Sequence, residues 1–402
     1  MAEHLGDRIA RLRRMADLTQ EGLAARSDVS VDVIRKLEQR RKHSARLPTL
    51  HSLAAGLGVE VTHLLGDPPA VPSGGQSEPP ALVAVRRAIM PPLLAAPPEP
   101  EGAERLSLPL MRAELAEAWT LYHAAEFGRV MEVLPGIIAD ARLLSSVGTP
   151  EERAAGQAAL GKALQLGGHL SIRLGKTDLA LSSLERAADA ADQSSDPLLA
   201  PMVYNSVAWA YQRQNRLGDA TGLAVHAADT VEREHTKTAE GVRVWGGLLM
   251  SAATSYARSG DYDHANDMML TAEKAAGRLA KLPAAENSKL VSVFNHSSVR
   301  IERVRLAVQH ERPAEALALA KGMRLSADTP VSWRTWLLLD VARAHTDLGN
   351  TAEAVKSLEK LRQVAPAWMR HHTLAVAVVT DLWARPPHPP GLRKLVEFLG
   401  VA

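Results

Sequence analysis

Apolar residues recur at intervals of three and four from the start of the chain, the spacing that gives a helix one buried stripe. Leu5 to Met15 reads as an amphipathic helix with Ile9 and Leu12 inward and Arg8, Arg11 and Arg14 mostly outward. Leu18-Thr19-Gln20-Glu21 opens a second helix, with Thr19 as its cap and Gln20 at its start. Ser30 caps a third, Ser30 to Gln39, whose Val33, Ile34 and Leu37 face a small core. That leaves Val31, Asp32, Arg35 and Lys36 outward. A fourth begins at Pro48-Thr49-Leu50, carries Leu53, Ala54 and Leu57, and stops at Gly58.

From about residue 107 the pattern becomes Ala- and Leu-rich and repeats. The recurring unit is a helix, a tight loop and a second helix with a small residue near its start. These anchors are Ala180, Ala220, Ala265, Ala316 and Ala354, with Val130 as a degenerate first copy. Twelve residues before them stand Ala118, Gly168, Ala208, Ala253, Val304 and Ala342, small in all but one case. Small residues facing each other across a helical hairpin let the two helices pack closely, and the pattern resembles the tetratricopeptide repeat. The anchors are 38 to 51 residues apart, against about 34 in the usual repeat. About six elongated hairpins over 107–365 are therefore expected, with capping helices at Leu374–Leu382 and Leu392–Leu399. Between the two regions, 11 of the 24 prolines fall from Pro68 to Pro109. Such density prevents a continuous helix or sheet. A semi-extended tether results, with one short amphipathic stretch, Leu82 to Met90, able to dock on either neighbour.

The predicted fold is all-α: a five-helix helix-turn-helix domain over 1–67, a proline-rich linker with a short helix over 68–106, and an α-solenoid of tetratricopeptide-like hairpins with capping helices over 107–402.

Charge adds a function. Arg35 to Arg46 holds six Lys or Arg residues and one acid, Glu38, in a chain whose net charge is only +2. A basic strip on the third helix and its following loop is the electrostatic footprint expected on double-stranded DNA; a solvated basic face that serves protein contacts is the alternative. Val31, Asp32, Arg35 and Lys36 would face bases or adjacent phosphates, Gln20 and Ser30 the DNA backbone, and Arg41, Lys42 and Arg46 phosphates or the minor groove.

The first domain resembles the XRE (Cro/repressor-type) family over about residues 5–66, including Val59 to Gly66 as its short fifth helix. Two positions depart from that family: Asp28 stands where the turn usually has glycine, and Arg40 replaces the glycine after the third helix. With the repeats, the layout resembles the RRNPP group of bacterial regulators. That resemblance implies a homodimer and a signalling peptide or small-molecule effector. The expected groove residues, counted from the anchors along the first helices, are Arg173, Asn205, Trp209, Arg213 and Arg258. Arginine forks suit carboxylates, and an Asn amide can pair with a peptide backbone. The same arginines could instead bridge neighbouring repeats, with Trp209 as core.

Other classes fare poorly. The chain has no cysteine, which removes disulfides, thiolate metal sites and a cysteine nucleophile. Gly-rich phosphate loops, His-Glu-x-x-His and nucleophile-elbow motifs are absent. His371 and His372 are adjacent, so on a helix their rings diverge by about 100° and chelate poorly. No enzyme and no cofactor are expected. No apolar run reaches membrane-spanning length, and Met1-Ala-Glu-His lacks the features of a signal peptide; a cytoplasmic protein without membrane contact is expected. An interaction scaffold whose repeats recruit a partner protein to DNA is the alternative function.

Overall fold

Three short helices open the chain, each started by a side-chain cap. In this computed structural model they are α1 (Leu5–Met15), α2 (Gln20–Ser27) and α3 (Val31–Glu38), capped by His4, Thr19 and Ser30. Such caps satisfy amide groups that the helix itself leaves unpaired. The structure describes residues 4–16, 18–41, 45, 47–59, 61, 64, 78–93, 107–283, 293–325 and 329–401, and among these every regular element is a helix. A fourth, α4 (Leu47–Leu57), ends at Gly58 with φ +68°. Ile9, Leu23, Ile34, Leu37, Leu53 and Leu64 form the core of this domain. Gly6 sets how closely α1 crosses α3: a Cβ there would lie 1.9 Å from the Leu37 carbonyl oxygen. The fifth helix expected over Val59–Gly66 falls mostly outside the described residues.

The chain divides into two units, residues 1–76, 303–323 and 333–402, and residues 77–302 and 324–332. The second unit begins with α5 (Pro80–Ile89), the short helix expected within the linker. It buries Leu82, Val85 and Ile89. Arg142 donates to the Ala88 carbonyl at 2.9 Å, and Ile89 lies within 3.5 Å of where a Gly167 Cβ would stand. Just before the helix, Glu78 pairs with Arg86 and Lys176 at 2.9 and 3.1 Å. Those two bonds hold its carboxyl down at about 2. Thus α5 docks on the repeats.

Hairpins follow as α6 (Leu108–His123) with α7 (Phe127–Leu144), α8 (Pro150–Arg173) with α9 (Thr177–Asp192), α10 (Leu199–Arg213) with α11 (Leu217–His235), and α12 (Ala239–Arg258) with α13 (Tyr262–Leu279). Two further pairs are α14 (His296–Gln309) with α15 (Pro313–Ala320) and α16 (Val331–Asp347) with α17 (Thr351–Val364). The chain closes with α18 (Pro366–His371), α19 (Thr373–Trp383) and α20 (Leu392–Leu399). The last two match the expected capping helices within a residue; α18 was not expected.

All six anchors, Val130, Ala180, Ala220, Ala265, Ala316 and Ala354, are fully buried. Their partners Ala118, Ala208, Ala253, Val304 and Ala342 are at most 1 % exposed, and a Cβ on Gly168 would lie 2.6 Å from Leu184. The loops are one motif six times over. Five residues before each anchor the backbone turns left-handed, at Ala125, Gly175, Asn215, Gly260, Glu311 and Gly349. The next amide in each loop then donates back to a first-helix carbonyl, as in Glu126 to Leu121, Lys176 to Ser171, Arg216 to Tyr211 and Asn350 to His345. This is the bonding of a left-handed helix C-cap, and it sets the hairpin register independently of the small residues.

Candidate nucleic-acid interface

The helix α3 is pinned by Ile34 and Leu37, both fully buried. At about 100° per residue, that places Asp32, Arg35, Lys36 and Gln39 on the opposite side, where all four are exposed. Val31 is half-buried at the helix start. Asp32 and Lys36 form an i,i+4 ion pair at 2.7 Å with side chains 62 % and 52 % exposed. The hydrogen bond from Lys36 holds the Asp32 carboxyl below the ordinary carboxylate range. Ser30 accepts from the Val33 amide at 3.4 Å, so its hydroxyl caps the helix.

A buried clasp orients this face. Glu38 accepts from Arg13 Nε and Nη2 at 2.7 and 2.8 Å and from Gln20 Nε2 at 2.7 Å. Arg13 Nη1 also donates to the Leu18 carbonyl at 2.8 Å. One carboxylate therefore ties α1, α2 and α3 together. Burial pushes the Glu38 carboxyl up, but the bonds from Arg13 and Gln20 and the Arg13 charge outweigh it, and the net position is below the ordinary range. Gln20 thus has its amide nitrogen committed to the scaffold behind α3. Sequence pattern identified neither Arg13 nor Glu38; the single acid in a basic strip was the available signal.

The two departures from the family pattern are accommodated. Asp28 and Arg40 take the left-handed conformation with φ 52° and 57°. Arg40 also forks onto Asp7 at 3.2 and 2.7 Å, which fastens the chain after α3 to the start of α1. Arg41 is exposed beside it. Lys42 and Arg46 lie outside the described residues.

In the repeats, Arg173 and Trp209 are brought together, with the guanidinium 5.0 Å from the ring centre. Arg173 also donates to the Tyr122 hydroxyl at 3.2 Å, and Arg258 to the Gln212 carbonyl at 2.8 Å. Both contacts run from seven residues before one anchor to eight before the preceding anchor. These two arginines therefore bridge consecutive first helices. A polar ladder accompanies them: Ser206 bonds Gln165 and His169, Ser251 bonds Gln212, and Glu302 bonds Thr254. All three acceptors stand fourteen residues before their anchors, a repeat position the sequence reading did not single out. Trp119, His169 and Trp209 stack edge to face with centroids 5.2 Å apart at each step. Burial, with Arg173 and His123 nearby, pulls the His169 imidazole down to about 3, so it is neutral. Asn205 is half-buried and Arg213 is exposed.

Residues 4–65 match the family model described as a helix-turn-helix domain. The N-terminal part of the chain is therefore similar to helix-turn-helix domains. No curated protein matches the sequence. Among solved structures, BtubC (BKLC) from P. vanneervenii is similar at 16 % identity over 62 % of this chain and 92 % of its own, with a TM-score of 0.39. Bacillus thuringiensis PlcR, solved in complex with the peptide PapR7 and DNA, is similar at 14 % identity over 90 % of this chain and 99 % of its own, with a TM-score of 0.38. Among the described residues no helix is long and apolar enough to cross a membrane.

Proposed function

We propose that the protein is a sequence-specific transcriptional regulator of the XRE type that binds an inverted repeat in DNA as a homodimer, and that it works by binding rather than by catalysis. The observation that carries this reading is the outward face of α3. Arg35 and Lys36 are exposed there, Arg41 follows, and a buried three-helix clasp holds the face in place. One eight-residue helix makes too few base contacts for a long unique site, and two-fold symmetry doubles them. Hydroxyl-radical footprinting with the full chain on genomic fragments is expected to show two protected half-sites, about 34–36 Å apart along one face of the duplex. Uniform or absent protection would overturn the reading.

The repeats, in this reading, dimerise or sense a peptide or small acidic ligand through Asn205, Trp209, Arg173, Arg213 and Arg258. Support comes from the exposed Arg213 and the half-buried Asn205 and Trp209 on one first helix. The bonds of Arg173 and Arg258 to neighbouring first helices favour a second reading, a rigid scaffold that recruits a protein partner. An effector can shift DNA affinity only if it binds one arrangement more tightly. Operator affinity of the wild type and of an Arg173→Ala/Arg213→Ala variant, with and without small-molecule and peptide extract, separates the two. A response in the wild type alone supports sensing; no response in either supports the scaffold.

A further inference from the structure

The outward face of a recognition helix is an unusual place for a carboxylate. Asp32 stands opposite the buried Ile34 and Leu37 in the first turn of α3, so on DNA it would project toward the floor of the major groove. There it meets the negative field of the phosphates. An ionised carboxylate accepts hydrogen bonds and cannot donate. Guanine and thymine present only acceptors along the major-groove edge, apart from the thymine methyl, whereas cytosine presents its N4 amine. Adenine presents an amine beside the N7 acceptor, which would oppose the second carboxylate oxygen. Lys36, one turn on at 2.7 Å, neutralises the carboxylate and has further N–H donors that suit guanine O6 or N7.

We propose that the Asp32–Lys36 pair is a specificity determinant of α3 beside Arg35, with Asp32 accepting from a cytosine N4 amine and Lys36 donating to an adjacent guanine. This rests on the DNA-binding reading above. It differs from a helix-stabilising role, in which an acid in the first turn and an i,i+4 pair merely support α3, because only base reading alters sequence preference.

The test is selection of the full chain, as wild type, Asp32→Ala and Asp32→Asn, on a randomised duplex library. Affinities are then measured on duplexes carrying each of the four base pairs at the selected position. Wild type is expected to require cytosine once in each half-site, with about a tenfold or greater loss for the other bases. Asp32→Ala should become indifferent there, and Asp32→Asn should move toward adenine, whose N6 and N7 suit an amide. If both variants select the wild-type site with the wild-type base profile, the assignment is overturned. If the wild type enriches no sequence at all, the DNA-binding reading itself fails instead. Asp32 is exposed, so unchanged thermal melting of both variants serves as the folding control.

Discussion

The Arg13 guanidinium grips the Glu38 carboxylate with two parallel hydrogen bonds of 2.7 and 2.8 Å, and both side chains are nearly sealed from solvent, at 12 % and 7 % exposure. A fork of this kind fixes angle as well as distance. Because Glu38 is the last residue of α3 and Arg13 lies near the end of α1, the pair sets the presentation of the exposed face of α3 from behind it. Arg13→Ala is expected to cost about 1.5–3 kcal/mol, as for loss of hydrogen bonds to a charged group. Arg13→Lys should recover only part, since an ammonium cannot fork. Chemical denaturation, with hydrogen exchange in α1 to α3, measures both.

The same pair gives a pH dependence. The folded Glu38 carboxyl lies below its ordinary value of 4.5, so its stabilisation is complete above 4.5 and is lost as the pH falls through the lower folded value. Glu38→Gln should remove this contribution, so the wild-type advantage over Glu38→Gln should shrink below about pH 4.5. A stability difference that stays constant from neutral pH to pH 3 would show that the carboxylate is not the group responsible.

Hairpin register is tested at Ala208, which is fully buried in a cluster with Ala220, Ala224 and Ala252. Ala208→Leu should overpack α10 against its neighbours and cost about 1–3 kcal/mol. On the same hairpin, Gly222 in α11 has nothing within 4 Å of an added Cβ. Gly222→Ala should therefore raise stability by up to about 1 kcal/mol. Equal melting shifts for the two variants would contradict the assigned packing.

The loops make a sharper comparison. Glu311 holds φ at 57°, and Gly260 occupies the equivalent position with φ 86°. A left-handed residue with a Cβ costs about 1–2 kcal/mol. Glu311→Gly should therefore stabilise by a fraction of that amount, and Gly260→Ala should destabilise. Thermal melts of the full chain read both signs.

These loops also mark where sequence reading stopped. Gly175, Gly260 and Gly349 advertise a left-handed turn, and Asn215 does so more weakly, but Ala125 and Glu311 adopt the same conformation without a residue that announces it. The small anchors were legible because close helix packing excludes larger side chains at those positions. The amphipathic stretch after the first domain was legible as a helix, while its docking on α7 and α8 depended on Arg142 and Gly167, far away in sequence. The outward residues of α3 followed from helical periodicity alone. What periodicity could not supply was the engagement of each arginine. Arg173 and Arg258 share a repeat position with Arg213, and their bonds depend on which atom of the preceding first helix comes within reach.

Equilibrium binding of the full chain to its footprinted site and to a random duplex of equal length, with Arg35→Ala alongside, decides whether α3 reads sequence through Arg35. Wild type is expected to prefer the site by about a thousandfold or more at physiological salt. Arg35→Ala should lose about 1–3 kcal/mol on the site and much less on the random duplex. Equal losses on both duplexes would make Arg35 a phosphate contact, and equal wild-type affinity for the two would contradict sequence-specific recognition by this helix.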